Sequence, residues 1–269
     1  PTSQMGQPRL AAGPGQVTVT WDPPYQAVNP VLFYTVTATA AGQQLTATAP
    51  GTETSLVFTG LTNGVAYSFT VVATNSVGPS QASNPSIAIP IAVPDTVTGI
   101  VGSPRNTNIA VSWPAPFNGG TPITRYSTTA YSLGATVATL TSLSPIVTFI
   151  NLTNGTPYTF IVTAFNIVGA SVPSAPSAPF VPATYPGKPT AILTTPGAGQ
   201  VALSWTAPSS GGSAITHYIV NYDLGMLMTP FTTATVTGLT AGTLYTFTIT
   251  AVNGVGNSAP SVPVTATPT

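Results

Sequence analysis

The residues able to do acid–base or nucleophilic chemistry are few and scattered in this 269-residue chain. Its one histidine, His217, precedes Asp223 by six positions, and the many serines would complete a Ser-His-Asp combination. Both residues lie on a predicted strand with their side chains outward, where six positions span about 20 Å, beyond hydrogen-bond reach. A single histidine also supplies too few ligands for zinc. We interpret His217 as a polar residue on a solvated face.

The carboxylates and the glycine-rich segments offer no better site. Four acidic side chains are spread along the chain, whereas glycoside hydrolysis needs two that face each other: they are Asp22, Glu53, Asp95 and Asp223. The pairs Gly119–Gly120 and Gly211–Gly212 lack the lysine and the helix start of a phosphate loop, and we interpret them as turns that need positive φ. We therefore predict no enzyme activity, no catalytic residue, no metal site and no cofactor.

Composition narrows the classes of partner. Charged residues make up only 3% of the chain and the formal net charge is zero, so no basic patch for nucleic acid can form. The absence of cysteine excludes disulfides and thiolate metal sites. Pro, Gly and Thr interrupt every apolar run before membrane-spanning length, so membrane insertion is not expected. The 43% hydrophobic content suffices for buried cores.

The elements that must position these residues repeat along the chain. Trp21, Trp113 and Trp205 follow one another at intervals of 92 residues. Each ends a run in which large apolar residues alternate with small or hydroxylic ones, as in a half-buried strand. A second strand signature in each unit contains Tyr34, Tyr126 or Tyr218.

A longer block marks the third recurrent strand of each unit. It begins at Leu61, Leu152 and Leu239, continues through a tyrosine, and ends in Asn-x-x-Gly. The tyrosines are Tyr67, Tyr158 and Tyr245. Proline-rich stretches at 85–94 and 173–189 separate the units, because proline suits linkers and strand edges. We place the domains at residues 1–93, 94–184 and 185–269.

These features together resemble the fibronectin type III family over nearly the whole chain. The resemblance rests on the strand-B tryptophan, the strand-C tyrosine, the Leu-x5-Tyr corner and the following Asn-x-x-Gly. It implies an all-β fold of three tandem immunoglobulin-like antiparallel sandwiches, with the tryptophans and the corner tyrosines structural in the cores. The amino-acid sequence of the third block is similar to that of arrays from bacterial and viral surface proteins. The family's Arg-Gly-Asp adhesive signal is absent, and the matching loops carry no charge.

Two overlapping glycosylation sequons begin at Asn151 and Asn154. In the repeat alignment Asn151 stands where the other units have Gly60 and Gly238. Because asparagine tolerates the left-handed conformation best after glycine, a turn role is favoured over a glycan at this corner.

The expected function is that of a non-catalytic structural segment, a rod, fibre or coat subunit, on the outside of a cell or virion. Self-association or contact with neighbouring structural proteins is expected, since near-zero charge promotes association. One alternative is an adhesion or ligand-binding module whose end loops present exposed residues: Tyr25, Phe117, Tyr131, Met226 and Met228. Another is an accessory spacer of a longer carbohydrate-active enzyme. The first four residues, 1–4, have no signal-peptide features and are interpreted as a mature or excised start.

Overall fold

A computed structural model describes residues 3–25 and 29–269 as three β-sandwiches, each with its own hydrophobic core. Pro1 and Thr2, which belong to the amino terminus interpreted above as a mature start, lie outside the described residues. Within the described ranges, no helix has the length and apolar character needed to cross a bilayer. All strand pairs are antiparallel.

The first sandwich packs a three-stranded sheet against a five-stranded one. Its strands are β1 Arg9–Gly13, β2 Gln16–Thr20, β3 Val31–Ala40, β4 Gln43–Pro50, β5 Ser55–Thr59, β6 Tyr67–Asn75, β7 Gly78–Pro79 and β8 Ser86–Ala88. In the smaller sheet β2 lies between β1 and β5, and in the larger one β3 pairs with β4 and β6. The short strands β7 and β8 both pair with β6.

The second and third sandwiches repeat this plan. The second has β9 Val101–Arg105, β10 Asn108–Ser112, β11 Arg125–Ser132, β12 Ala135–Ser142, β13 Ile146–Phe149 and β14 Thr159–Phe165, in the sheets β9-β10-β13 and β12-β11-β14. The third has β15 Thr190–Gly197, β16 Gln200–Thr206, β17 Ile215–Tyr222, β18 Gly225–Thr229, β19 Thr233–Thr237, β20 Tyr245–Asn253 and β21 Val264–Ala266. Its sheets are β15-β16-β19 and β18-β17-β20-β21.

Residue alternation explains which face of each strand is buried. Along β6 every second residue, from Tyr67 through Phe69 and Val71, is buried, and the residues between them are half-buried. A strand turns successive side chains to opposite faces, so a period of two in hydrophobicity becomes a period of two in burial. β14 and β20 carry the same inward set, which gives the three units matching cores.

A tryptophan and a tyrosine pack against each other in each core. Trp21, Trp113 and Trp205 are 1%, 4% and 6% exposed. Their rings lie 5.0, 5.3 and 5.3 Å, centroid to centroid, from Tyr34, Tyr126 and Tyr218, in tilted or edge-on arrangements that suit aromatic pairs. Burial raises the pKa of all three tyrosine hydroxyls, because the phenolate would lose solvation there.

A row of serines, all buried except the half-buried Ser177, holds the last segment of each sandwich where the regular strand ladder gives way. Each serine Oγ accepts the N–H of a residue on β6, β14 or β20, and the serine N–H donates to the carbonyl of that same residue. We call this row the serine spine: Ser80, Ser83, Ser171, Ser174, Ser177, Ser258 and Ser261. The hydroxyl thereby supplies a backbone contact at positions flanked by proline.

The serine spine corrects one sequence interpretation. The sequence places the boundary of the second domain at 184/185 but treats the whole proline-rich stretch 173–189 as a separator between units. Ser171, Ser174 and Ser177 instead pair with β14, so residues up to Phe180 belong to the second sandwich. Hydrophobic alternation does not reveal Ser171, Ser174 and Ser177, because it has a period of two residues. These serines contact β14 at every third residue, through their hydroxyl groups.

Replacing Ser174 with alanine is expected to destabilise the second sandwich by about 1–3 kcal/mol. The change leaves the N–H of Val162, which now donates to Ser174 Oγ over 2.9 Å, buried without that acceptor. Chemical denaturation of the full chain measures the loss. Ser144→Ala, at an exposed loop position of the same domain, is the control and should stay within about 0.5 kcal/mol of the parent. Equal stabilities for the two variants would contradict this role of the hydroxyl.

Candidate functional site: the domain junctions

The first linker is hydrogen-bonded to the domains on both sides of it. Gly64, in the turn before β6, donates its N–H to the carbonyl of Pro90 over 2.9 Å. Two residues later Ala92 donates its N–H to the carbonyl of Gly119, in the loop before β11, over 2.8 Å. The linker therefore connects a turn of the first domain to a loop of the second through backbone contacts.

The second linker repeats these contacts. Gly155 donates to the carbonyl of Pro182 over 2.9 Å, and Thr184 donates to the carbonyl of Gly211 over 2.8 Å. Ala92 and Thr184 are 92 residues apart, and so are Gly119 and Gly211, which is the interval of the tryptophans. The two junctions are thus built from equivalent positions of the repeat.

An asparagine side chain closes each junction from the following domain. The amide nitrogen of Asn166, at the end of β14, donates to the carbonyls of Ala92 and Asn118 over 2.7 and 2.9 Å. Asn253, at the end of β20, donates to Thr184 and Ser210 over 2.8 Å each. The Oδ1 atom of each asparagine accepts the N–H groups two and three residues on, which fixes the amide orientation. These are the asparagines of the Asn-x-x-Gly motif.

The glycine pairs allow two backbones to touch at each junction. Gly120 and Gly212 have φ of +90° and +91°. A Cβ atom added to Gly120 would lie 2.4 Å from the backbone nitrogen of Gly64, and one added to Gly212 would lie 2.4 Å from that of Gly155. Any other residue at either position would push the neighbouring domain away, because these neighbours are backbone atoms.

The first domain differs from the other two at the position of the glycine pair. In the sequence of the first domain, Ala27 and Val28 stand where the other two have Gly119–Gly120 and Gly211–Gly212; both residues lie outside the described ranges. The third domain keeps the turn glycine, Gly242, which donates to the carbonyl of Pro268 over 3.0 Å. The glycine pair therefore occurs in the two domains that another domain precedes.

The glycine pairs show what sequence reasoning can and cannot assign here. They were interpreted as turns requiring positive φ, and they have it, at +73° and +90° in one loop and +70° and +91° in the other. Their contact with the preceding domain was missed. The absence of glycine at positions 27 and 28 was the available signal, because a purely local turn would need the pair in all three units.

Each corner tyrosine accepts a backbone hydrogen bond at its hydroxyl. The N–H of Thr62 donates to the hydroxyl of Tyr67 over 3.1 Å, and equivalent contacts of 3.0 and 3.1 Å reach Tyr158 and Tyr245. Each phenol is buried apart from this polar contact five residues upstream. The tyrosine therefore anchors the turn that carries the junction glycine.

The two sequon asparagines occupy different environments. Asn151 is exposed and left-handed, with φ of +58°, where Gly60 and Gly238 have +75°. The amide of Asn154 accepts the N–H of Thr107 and donates to Asn106, both over 2.8 Å. A glycan on Asn154 would take one of the two protons of the amide nitrogen that joins two turns of the second domain.

The residues considered for chemistry are not brought together. His217 Nδ1 lies 3.0 Å from Thr216 Oγ1, whereas Asp223 accepts the N–H of Thr246 over 2.7 Å. Asp223 lies one residue beyond β17, which corrects the expectation that it is a strand position. His217 lies on β17 on the face opposite the buried Tyr218 and is half-buried. Across residues 3–25 and 29–269, no three His, Cys, Asp or Glu side chains group as metal ligands would.

The other candidate residues lie on the surface. Bidentate hydrogen bonds from Arg9, 2.8 and 3.0 Å long, hold the pKa of the Asp22 carboxyl below its usual value. Four of the five proposed contact residues are exposed: Tyr25, Phe117, Met226 and Met228. The fifth, Tyr131, is half-buried. They lie in different domains, and the structure does not gather them into one surface.

Comparison with known proteins assigns the chain to a family. The family model described as fibronectin type III domain matches residues 7–89, 95–180 and 187–267. Endoglucanase B of Cellulomonas fimi is 34% identical over 251 residues, which cover 84% of this chain and 24% of the glucanase. Netrin receptor DCC of Rattus norvegicus is 26% identical over 236 residues, covering 80% of this chain and 16% of the receptor.

One solved structure aligns with nearly the whole chain. The FN1-FN3 domains of chicken CNTN1 align with a TM-score of 0.46 and 17% identity, covering 99% of both chains. The chain spans about a quarter or less of the curated relatives described above. With the family model matched three times across most of its length, the chain belongs to the fibronectin type III family as three domains in tandem.

Proposed function

We propose that the chain is a non-catalytic rod-like spacer that works outside the cell, on a cell or virion surface. The observation that carries this proposal is the repetition of one set of junction contacts at equivalent positions of both linkers. A flexible tether needs no such contacts, since glycine- and serine-rich linkers keep their ends apart without structure.

The physics of the junction favours a fixed angle between neighbouring domains. Each linker is restrained from two sides. Ala92 or Thr184 donates a backbone hydrogen bond to the following domain, and the side chain of Asn166 or Asn253 donates to the linker. Close contact between glycine backbones holds the two domains together. Proline at 90 and 94, and at 182 and 186, limits the backbone torsions of the linkers. Bending at a junction would therefore break several contacts together.

The relatives support a spacer within larger proteins. In a glucanase and in a netrin receptor, the part similar to this chain is a minor fraction of the whole. A spacer of this kind could also belong to a longer carbohydrate-active enzyme, and the similarity to Endoglucanase B favours that second candidate function. In both cases we assign the chain no catalytic step.

Distances between spin labels in neighbouring domains test the spacer proposal. The chain has no cysteine, so labels can be placed at single introduced cysteines. Gln44→Cys with Thr136→Cys spans the first junction, and Thr136→Cys with Leu224→Cys spans the second, all at exposed positions. One narrow distance distribution is expected across each junction. Broad distributions across both would overturn the proposal.

We also propose that copies associate with one another or with neighbouring structural proteins. The surface has only eight formally charged side chains apart from histidine, so little electrostatic repulsion opposes contact. Sedimentation velocity across a concentration series measures this tendency directly. A sedimentation coefficient independent of concentration would count against self-association and leave the rigid-spacer proposal standing.

A further inference from the structure

A cleft of 680 Å³ lies beside the second junction. Three segments line it: the turn after β9 in the second domain, the linker, and the loops of the third domain before β17 and after β20. The side chains used below are Arg105, Thr184, Tyr185 and Ser213. The cleft exists only while the second and third domains stay docked, because both supply its walls.

Tyr185 forms a flat platform in this cleft. A Cβ atom added to Gly256 would lie 2.8 Å from ring atom Cε1 of Tyr185, so the ring rests directly on the backbone of that loop. The side chain is nevertheless 57% exposed. An aromatic ring supported on one side and open on the other is suited to stacking against a ring-shaped ligand.

Arg105 supplies a positive charge at the same cleft. It ends β9, and the adjoining turn is held by two hydrogen bonds: Asn154 donates its amide N–H to Asn106, and Thr107 donates its backbone N–H to the Asn154 side chain. No carboxylate lines the cleft. The ion pair found among the described residues joins Arg9 and Asp22, so the Arg105 guanidinium has no protein carboxylate as partner there.

The first junction lacks these side chains although its backbone contacts are the same. Gly13 stands at the position of Arg105, Pro14 at that of Asn106, and Val93 at that of Tyr185. Holding two domains together therefore requires neither the arginine nor the tyrosine. Val93 packs against Gly169 as Tyr185 packs against Gly256, so docking uses a side chain at this position but needs neither an aromatic ring nor the arginine.

We propose that the cleft binds a saccharide unit that carries a carboxylate. The apolar face of the pyranose stacks on Tyr185, and the carboxylate pairs with the guanidinium of Arg105 through charge-assisted hydrogen bonds. Thr184 and Ser213 offer polar groups to the ring hydroxyls. This inference rests on the proposed rigid junction, because Arg105 and Ser213 belong to different domains.

Titration calorimetry of the full chain with trigalacturonate tests the proposal, with cellotriose as the uncharged counterpart. Trigalacturonate is expected to bind and to weaken with added salt, and cellotriose to bind about tenfold more weakly or worse. Arg105→Gln and Tyr185→Val, the latter restoring the residue of the first junction, should each lower the affinity about tenfold or more. Lys188→Gln removes a cation outside the cleft and should leave binding unchanged.

Three results would overturn the proposal: no binding of trigalacturonate at millimolar concentration, equal binding of both trisaccharides, or unchanged affinity in Arg105→Gln. Spin-label distances across the second junction, measured on the chain with Thr136→Cys and Leu224→Cys, separate this failure from that of the spacer. A narrow distribution without binding removes only the saccharide site. A broad distribution removes the rigid junction, and the cleft with it.

Discussion

Replacing Trp113 with alanine is expected to destabilise the middle sandwich by about 3–5 kcal/mol and to leave the outer two nearly unchanged. The indole is 4% exposed and packs edge-on against Tyr126. Its removal leaves a cavity that the surrounding strands can only partly fill. The effect stays local because each domain has a separate core.

The three tryptophans make the measurement domain-specific. In the Trp113→Ala variant, fluorescence of Trp21 and Trp205 reports the first and third domains during denaturation, while hydrogen exchange reports the second. Phe117→Ala is the control, because Phe117 is an aromatic residue that is 53% exposed, and it should change stability by about 0.5 kcal/mol or less. Equal losses in all three domains would show that they unfold as one unit.

Replacing Gly212 with valine is expected to open the second junction. The new Cβ would lie 2.4 Å from the backbone nitrogen of Gly155, and the branched side chain would need φ near +91°, which costs about 1–2 kcal/mol by itself. The steric clash adds to that cost and is relieved only if the domains separate. The narrow distance distribution expected between labels at positions 136 and 224 should therefore become broad.

A second glycine separates torsional strain from the clash. Gly134, in the turn between β11 and β12, has φ of +81° and no other group within 4 Å of an added Cβ. Gly134→Val should impose similar local strain and leave the inter-domain distances unchanged. If Gly212→Val also leaves them unchanged, the glycine contact does not hold the domains together.

The sandwiches and their cores could be predicted from the sequence because their signals are local and periodic. Alternation before Trp113 and after Tyr158 defines which faces are buried, and three copies in phase fix the repeat. Tertiary packing then follows, since two half-buried sheets cover each other. The family and the all-β fold are confirmed at this level.

The junctions and the serine spine could not be predicted in the same way. A glycine such as Gly120 has a sufficient local explanation in positive φ, and its contact with Gly64 joins residues of two different domains. Ser174 lies among prolines with no hydrophobic alternation, so its segment looks like a linker. The hydrogen bond that places it in the sandwich depends on three-dimensional proximity to Val162.

The serine spine also determines where a foreign strand could add to these sheets. Adding a strand requires a row of free backbone N–H and C=O groups at a sheet edge. Along the spine, prolines supply no N–H, and the serines direct theirs inward to β14 and its equivalents. Within the sheet that contains β6, β14 or β20, strand addition is thereby disfavoured at that edge and left to the opposite one, formed by β4, β12 and β18. In this sheet, amyloid-like growth is therefore expected to start from the β4, β12 or β18 edge, and the exposed Met226 and Met228 make β18 of the third domain the first place to look.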